Sequence, residues 1–375
     1  MHPKRILLLG SYGQDNIGDK FMLETLVKNF GKFKYKIAVN SSNPQKTIKD
    51  FNIDAFSTKL LADVRKKIVL LLKADLIIFG GGTIFIEHVD YFGRKNIRPI
   101  IITLSVLIIA KILGKKVCMF AIGIGKLEKI ISKILTAFSL SLCSLTIVRD
   151  KYSYKIARKL SKKKVFLGVD MIFIHKSINN TSLNNKLTNT IGITPCYWVR
   201  GDQSYRKRFV NTFIQVVSKL RSQYESKKVR FIPFQSRWGK YNDYWLSKNI
   251  LKNVLNNKRM EIKVYNSPME TLKAFQGLEI FIGVRLHSII FSIINTIPFI
   301  AISYQKKVSA MVSELGLNEL IIEVDEFNWS NMKSKFENIF KNRNKYVTKL
   351  KTIRSVNHKK ALIMFNKLNN WIKQN

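Results

Sequence analysis

Three cysteines in 375 residues, Cys118, Cys143 and Cys196, are too few and too scattered for a disulfide framework. None has the paired spacing of a zinc site, so they read as small core residues in a reducing compartment. Acid is scarce as well: 24 Asp and Glu stand against 65 Lys and Arg, a formal net charge of +41. Such a field attracts nucleic acid, anionic lipid head groups or phosphorylated small molecules. The lysines, however, are spread through almost every segment, usually beside Asn or Ile. Nucleic-acid binders gather their charge in a stripe with interleaved aromatics, so no nucleic-acid partner is expected. A peripheral contact with an anionic membrane remains an expectation.

Long apolar runs are missing. The longest, Pro99 to Ala110, is broken at Lys111, short of the ~18 residues a spanning helix needs. The opening MHPKRILLLG holds only Ile6 to Leu9 as an apolar stretch before Gly10, shorter than the core of a secretory leader. The expectation is a cytoplasmic chain that can rest on the inner membrane face. No repeat of 20–50 residues stands out.

What is present is globular: hydrophobic residues make up 46% and charged residues 24%, enough for two cores. Arg5–Leu9 is a short apolar run ending at Gly10, as a buried parallel strand reads. Met22, Leu23, Leu26, Val27 and Phe30 follow at helical spacing. Strand candidates Lys36–Asn40, Asp75–Phe79, Lys116–Ile122 and Leu145–Arg149 alternate with helical stretches around 59–73, 98–113, 128–142 and 151–160. Residues 176–189 are polar, without period or glycine, and read as a linker. Alternation then resumes from Thr190 to Ser303, and a basic helical stretch closes the chain. The pattern predicts an α/β protein of two Rossmann-like domains facing a cleft, at 1–175 and 190–344. The first would be the acceptor side and the second the donor side. A helix over 345–375 should cross back onto the first domain, burying Leu350, Ile353, Leu362, Phe365 and Leu368.

Chemistry gathers at putative strand ends, where open α/β sheets bind ligands. Gly10-Ser-Tyr-Gly13-Gln-Asp-Asn16-Ile-Gly18-Asp19 joins the first strand to the first helix. Its glycines let backbone N–H groups approach an anion; the plainer reading is a turn capped by Asp19. The spacing is wrong for a dinucleotide fingerprint, which excludes nicotinamide chemistry as the first choice. Gly80-Gly81-Gly82-Thr83 and Gly123-Ile-Gly125 end two more strands. Val148-Arg149-Asp150, with Ser153 beyond it, and Gly168-Val-Asp170 follow. Arg149 and Asp150 fit either the cleft or a helix cap. In the second half Gly283-Val-Arg285-Leu286-His287-Ser288 sets an arginine, a helix start and a histidine within three residues. That combination suits a phosphate or carboxylate together with an acid/base, although a lone His in such a turn is often a packing residue. Tyr304 and Lys307 follow the next strand.

Taken together, in number and order, these motifs resemble the polysaccharide pyruvyl transferase family. The shared pattern runs through Asn16–Asp19, DLIIFGGGT at 75–83, IGIG at 122–125, VRD at 148–150 and GVD at 168–170. It continues through GVRLHS at 283–288 and Pro298 to Lys307. Members of that family are similar to glycosyltransferases of the two-Rossmann-domain type and move the enolpyruvyl unit of phosphoenolpyruvate onto a sugar, usually as a cyclic ketal. The resemblance implies phosphoenolpyruvate as donor substrate, a sugar or lipid-linked oligosaccharide as acceptor, and no cofactor or metal. It assigns donor binding to Arg285, Leu286 and His287, with Ser288, Tyr304 and Lys307 beside them. Arg200, in Thr194-Pro-Cys-Tyr-Trp-Val-Arg200, is the candidate second donor arginine, displaced from its usual place.

The chemistry asks for one proton donor and one acceptor. His287, with an ordinary pKa of about 6.5, exists in either state near neutrality. Asp19 or Asp170 would take the hydroxyl proton or orient the sugar. Acceptor contacts are expected from Gly13, Asn16, Gly18, Gly81, Gly82, Thr83, Gly123, Arg149, Asp150 and, in a loop over 236–242, Trp238 and Tyr241. Two other readings stand. A nucleotide-sugar glycosyltransferase would use Glu279 or Glu270 on the ribose, and a non-catalytic scaffold in a membrane-associated glycan assembly complex would use the basic C-terminal helix.

Overall fold

The computed structural model describes residues 3–59, 62–89, 95–175, 187–197, 202–237, 241–255 and 257–375. The first half alternates strand and helix. Its elements begin with β1 (Arg5–Leu9), α1 (Ile17–Gly31), β2 (Lys36–Ser41), α2 (Pro44–Phe51), β3 (Asp54–Ser57), α3 (Val64–Lys73) and β4 (Leu76–Gly80). Three short strands follow, β5 (Thr83–Phe85), β6 (His88–Val89) and β7 (Lys95–Asn96). The half closes with α4 (Arg98–Ile112), β8 (Lys116–Ile124), α5 (Ile130–Leu142), β9 (Leu145–Val148), α6 (Lys151–Leu160) and β10 (Val165–Leu167).

The first sheet runs β10-β9-β8-β4-β1-β2-β3, every pairing parallel, with β5 paired to β8. Both faces are covered, and alternate residues show it. Ile6, Leu8, Ile78 and Phe120 point into one core, while Leu7, Leu9, Ile77 and Met119 point into another beneath α3 to α6.

The second sheet is built from β11 (Thr190–Thr194), β12 (Lys228–Phe231), β13 (Met260–Ile262), β14 (Leu278–Gly283), β15 (Phe299–Ser303) and β16 (Ile321–Glu323). Its order is β13-β12-β11-β14-β15-β16, again all parallel. Both sheets therefore have the doubly wound plan. The strand order reverses between β1 and β4 in one, and between β11 and β14 in the other.

The sheets meet along the start of α1. Ile17 N–H donates to Phe234 O at 2.9 Å, and Asn16 pairs with Gln235 as an antiparallel bridge. Phe21 of α1 packs edge-on to Phe291 at 5.2 Å, which in turn meets Phe234 at 5.1 Å. The C-terminal helix Arg343–Gln374 returns to the first sheet. Phe365 lies 5.8 Å from the Phe30 ring and 6.4 Å from Phe120, and Lys4 Nζ donates to Ile372 O. Leu350, Phe365 and Leu368 are buried and Ile353 is partly so. Leu362 is exposed, contrary to expectation, because it lies at the edge of the buried stripe formed by Ala361, Phe365, Leu368 and Ile372.

Candidate functional site

The carboxyl ends of β1, β4 and β8 face those of β11, β14 and β15 across the domain junction. Asn16 caps α1, its Oδ1 accepting from Gly18 N–H at 3.0 Å. The cap is therefore Asn16 rather than Asp19, and that frees Asp19. Its half-buried carboxylate makes no hydrogen bond or ion pair among the described residues. Burial pushes the Asp19 carboxyl up, while His287, Lys307, Arg149 and Arg285 pull it back in that order. Gly18 packs against His287 across the domain junction. A Cβ there would stand 1.9 Å from His287 Nδ1, so only a glycine admits the imidazole.

The other nitrogen of His287 is turned to a carboxylate. Nε2 lies 3.6 Å from Asp170 Oδ2, and Arg149 Nη1 reaches the same oxygen at 3.2 Å. Asp170 Oδ1 accepts from Ile172 N–H at 3.1 Å. Burial alone would raise the Asp170 carboxyl, but His287 and Arg149 outweigh it and hold it at about 2. Arg149 is itself buried. It runs beside Gly123, where a Cβ would lie 3.1 Å from its Nε, and Nη2 donates to Thr83 Oγ1 at 3.2 Å. Asp170 favours a proton on Nε2, which leaves Nδ1 on the side of Gly18 and the α1 N-terminus.

Arg285 is engaged by Asp243 and Gln235, neither of which the sequence marks as a site residue. Its Nε and Nη2 form a fork onto Asp243, both at 2.6 Å, and Nη2 also donates to Gln235 Oε1 at 2.8 Å. Asp243 is fully buried and also accepts from the N–H groups of Phe234 and Gln235 at 3.2 and 3.0 Å. Burial pushes the Asp243 carboxyl up, Arg285 and the two N–H groups pull it back, and the Arg285 guanidinium stays charged beside it. Among the described residues, only Nη1 of Arg285 is left without a hydrogen bond and open to a ligand. No local signal marks Asp243: it sits in the first turn of a helix after the Asn242 cap, where an acid is ordinary.

Lys307 is half-buried and makes no ion pair among the described residues. Burial, reinforced by Arg149, pulls its ammonium down to about 8. Lys307 and Leu286 line one pocket with Arg149 and Asp170. Tyr304 is partly buried near Arg285, and burial pushes its phenol up.

The remaining candidates separate. Ser288 donates to Arg285 O at 2.7 Å and braces the backbone. Asp150 caps α6 through Ser153 N–H at 2.6 Å. Ser153 is buried, and its Oγ accepts from Ile124 N–H at 2.8 Å at the carboxyl end of β8. Gly81, with φ +71°, packs on Met22 and Met171, whereas Gly82 opens on free space. Gly13 belongs to a neighbouring shallow pocket with Asp15, Lys20 and Lys46. Tyr241 stacks on Tyr197 at 4.9 Å and 24°, a packing contact rather than an open sugar platform. Arg200 and Trp238 lie outside the described residues, as do residues 176–186 of the expected linker.

The family model for polysaccharide pyruvyl transferase matches residues 16–306. The chain belongs to that family. Membership makes it a transferase enzyme. The match begins at the Asn16 cap and ends beside Lys307, so it spans both sides of the cleft. No match was found among curated proteins. Solved structures share the architecture at low identity. A UDP-GlcNAc 2-epimerase from Neisseria meningitidis bound to UDP-GlcNAc is 10% identical, with TM-score 0.60 over 98% of this chain and 100% of that one. A glycosyltransferase from Rickettsia africae is 10% identical, with TM-score 0.58 over 100% and 99%. A further UDP-N-acetylglucosamine 2-epimerase is 9% identical, with TM-score 0.63 over 100% and 98%. At such identity these likenesses establish the fold of this pyruvyl transferase family member, two Rossmann-like domains, and nothing about its substrate.

Proposed function

We propose that the chain transfers the pyruvyl unit of phosphoenolpyruvate to two hydroxyls of a sugar in a cell-surface polysaccharide or its lipid-linked precursor, forming a ketal. One observation carries this reading. Asp19, with no partner among the described residues, shares a cleft with His287, Lys307, Arg149 and the free edge of Arg285. An unpaired carboxylate among cations suits a proton acceptor beside an anion site.

Phosphoenolpyruvate brings a phosphate and a carboxylate, which Lys307 and Arg285 Nη1 would meet. His287 delivers a proton to the methylene carbon, and the adjacent carbon becomes oxocarbenium-like. One sugar hydroxyl bonds to that carbon and gives its proton to Asp19. The carbon–oxygen bond to phosphate then breaks, and the second hydroxyl closes the ketal. Of the two hydroxyl protons, one replaces that used on carbon and the other leaves with inorganic phosphate. Asp170 and Arg149 hold the imidazole in register throughout.

The nucleotide-sugar alternative has less support. Glu279 is paired to Lys227 at 2.6 Å near the amino end of β14, away from the cleft, and Glu270 turns back to the Asn266 N–H at 3.3 Å. The test is to incubate the purified chain with phosphoenolpyruvate and a panel of sugar and lipid-linked acceptors. Phosphate release with pyruvate gained by the acceptor in mass spectrometry supports the proposal. Calorimetry showing nucleotide-sugar binding and no phosphoenolpyruvate binding overturns it.

A further inference from the structure

The outer face of the first domain carries an apolar surface with no cover. Helices α3, α4 and α5 lie over the same core, beneath one face of the first sheet. Their inner sides pack there through Leu70, Leu71, Ile100, Leu107, Leu135 and Leu140. Their outer sides are apolar as well, which a helix on an aqueous surface normally is not. Ile68, Ile102, Ile109, Ile130, Ile134 and Phe138 are all exposed, and Ile112 is 78% exposed. These three helices and the turn after α4 supply more than half of the large apolar side chains left exposed among the described residues. The helices α4 and α5 pack side by side, and Lys115 Nζ, just after α4, donates to Leu72 O at the end of α3, so the patches adjoin. Monomeric surfaces rarely carry apolar patches beyond roughly 300–600 Å² without a function.

Charge selects the occupant. No Asp or Glu occurs in α3, α4 or α5. Lys66, Lys111 and Lys133 are exposed among the isoleucines, and no carboxylate pairs with them among the described residues. The acids flanking these helices are already engaged: Glu128 by Lys95 and Lys126, Asp63 by the Ser57 N–H at 2.9 Å and Asp75 by the Arg5 N–H at 2.8 Å. Two copies meeting by this face would set basic rims against each other, and a neutral protein partner would leave those lysines uncompensated. No helix of the described residues is long and apolar enough to cross a membrane. An apolar face studded with unpaired lysines instead fits the plane of an anionic bilayer, with isoleucines in the acyl boundary and ammonium groups among phosphates.

We propose that the α3–α4–α5 face docks the protein on an anionic lipid bilayer. Helices run back from the carboxyl edge of the sheet, so Ile130 and Ile131, in the first turn of α5, lie at the cleft end of this face. The site would then open close to the lipid surface. The inference concerns binding alone and does not depend on the reaction proposed above.

Sedimentation of the full chain with phosphatidylglycerol vesicles, phosphatidylcholine vesicles or none tests it. Binding to the anionic vesicles is expected, and Ile112→Glu with Ile130→Glu should weaken it about tenfold or more. Both positions are at least 75% exposed, so the fold should be unaffected, which circular dichroism checks. A second variant, Lys66→Gln with Lys111→Gln and Lys133→Gln, should weaken anionic binding and leave thermal unfolding unchanged. Failure to bind phosphatidylglycerol vesicles overturns the proposal. So does binding that the isoleucine variant leaves intact. A dimer seen by sedimentation velocity without lipid, and broken by the same variant, would give the face to a second copy instead.

Discussion

Gly18 of the first domain lies directly against the His287 ring of the second, 1.9 Å from its Nδ1 if a Cβ is added. Chain segments separated by most of the sequence thus share one contact that admits no methyl group. Gly18→Ala should displace the imidazole from Asp170 while leaving both sheets folded. The expected result is a loss of transfer rate of about 10²-fold, with phosphoenolpyruvate affinity changed less. Phosphate-release kinetics beside calorimetry would check it, and an unchanged rate would mean that His287 has slack.

His287→Asn keeps a polar side chain of similar reach and removes the exchangeable proton. Turnover should fall by about 10²–10⁴-fold while donor binding stays nearly intact. Wild-type turnover in this variant would make His287 a packing residue and direct attention to Lys307 and Tyr304.

Arg285 and Asp243 form a buried fork, so either single change strands a charge. Asp243→Asn and Arg285→Ala should each cost roughly 3–5 kcal/mol of stability by denaturant unfolding. Arg285→Ala should in addition weaken donor binding. Replacing both, Arg285→Met with Asp243→Leu, should recover most of the stability and none of the donor affinity. A double variant that still binds phosphoenolpyruvate would remove Arg285 from the donor site.

Acid should act through Asp170. Its folded pKa of about 2 lies below the ordinary carboxylate value. It therefore contributes stability at pH above about 4, and that contribution is lost as pH falls through about 2. The amount is roughly 2 kcal/mol. In Asp170→Asn this part of the acid dependence should vanish, as urea unfolding at pH 2 to 5 would show.

Alkali should act through Lys307. With its ammonium pulled down to about 8, charge is lost from the cleft as pH rises past that value. Donor affinity should fall above pH 8 in the wild type and hold to higher pH in Lys307→Arg. Parallel pH profiles for both proteins would argue against Lys307 as a donor contact.

The sequence by itself determined the strand–helix alternation and the places where chemistry could sit. Apolar runs such as Arg5–Leu9 and Asp75–Phe79 end in glycines, and that local pattern marks parallel strands with ligand-facing turns. Short elements escaped it. Pro44–Phe51 and Asp54–Ser57 carry too few apolar residues to show a period, and their burial comes from neighbouring strands. Partnership was decided only by tertiary structure. Arg149 and Asp170 were each visible, but their pairing follows from β9 and β10 lying side by side. Asp243 looked like any acid in a first helical turn until the order of β12, β11 and β14 brought it within 2.6 Å of Arg285. The physical reason is common to both cases. Local spacing fixes backbone conformation, whereas which carboxylate neutralises which guanidinium depends on long-range strand order, and burial makes that pairing obligatory.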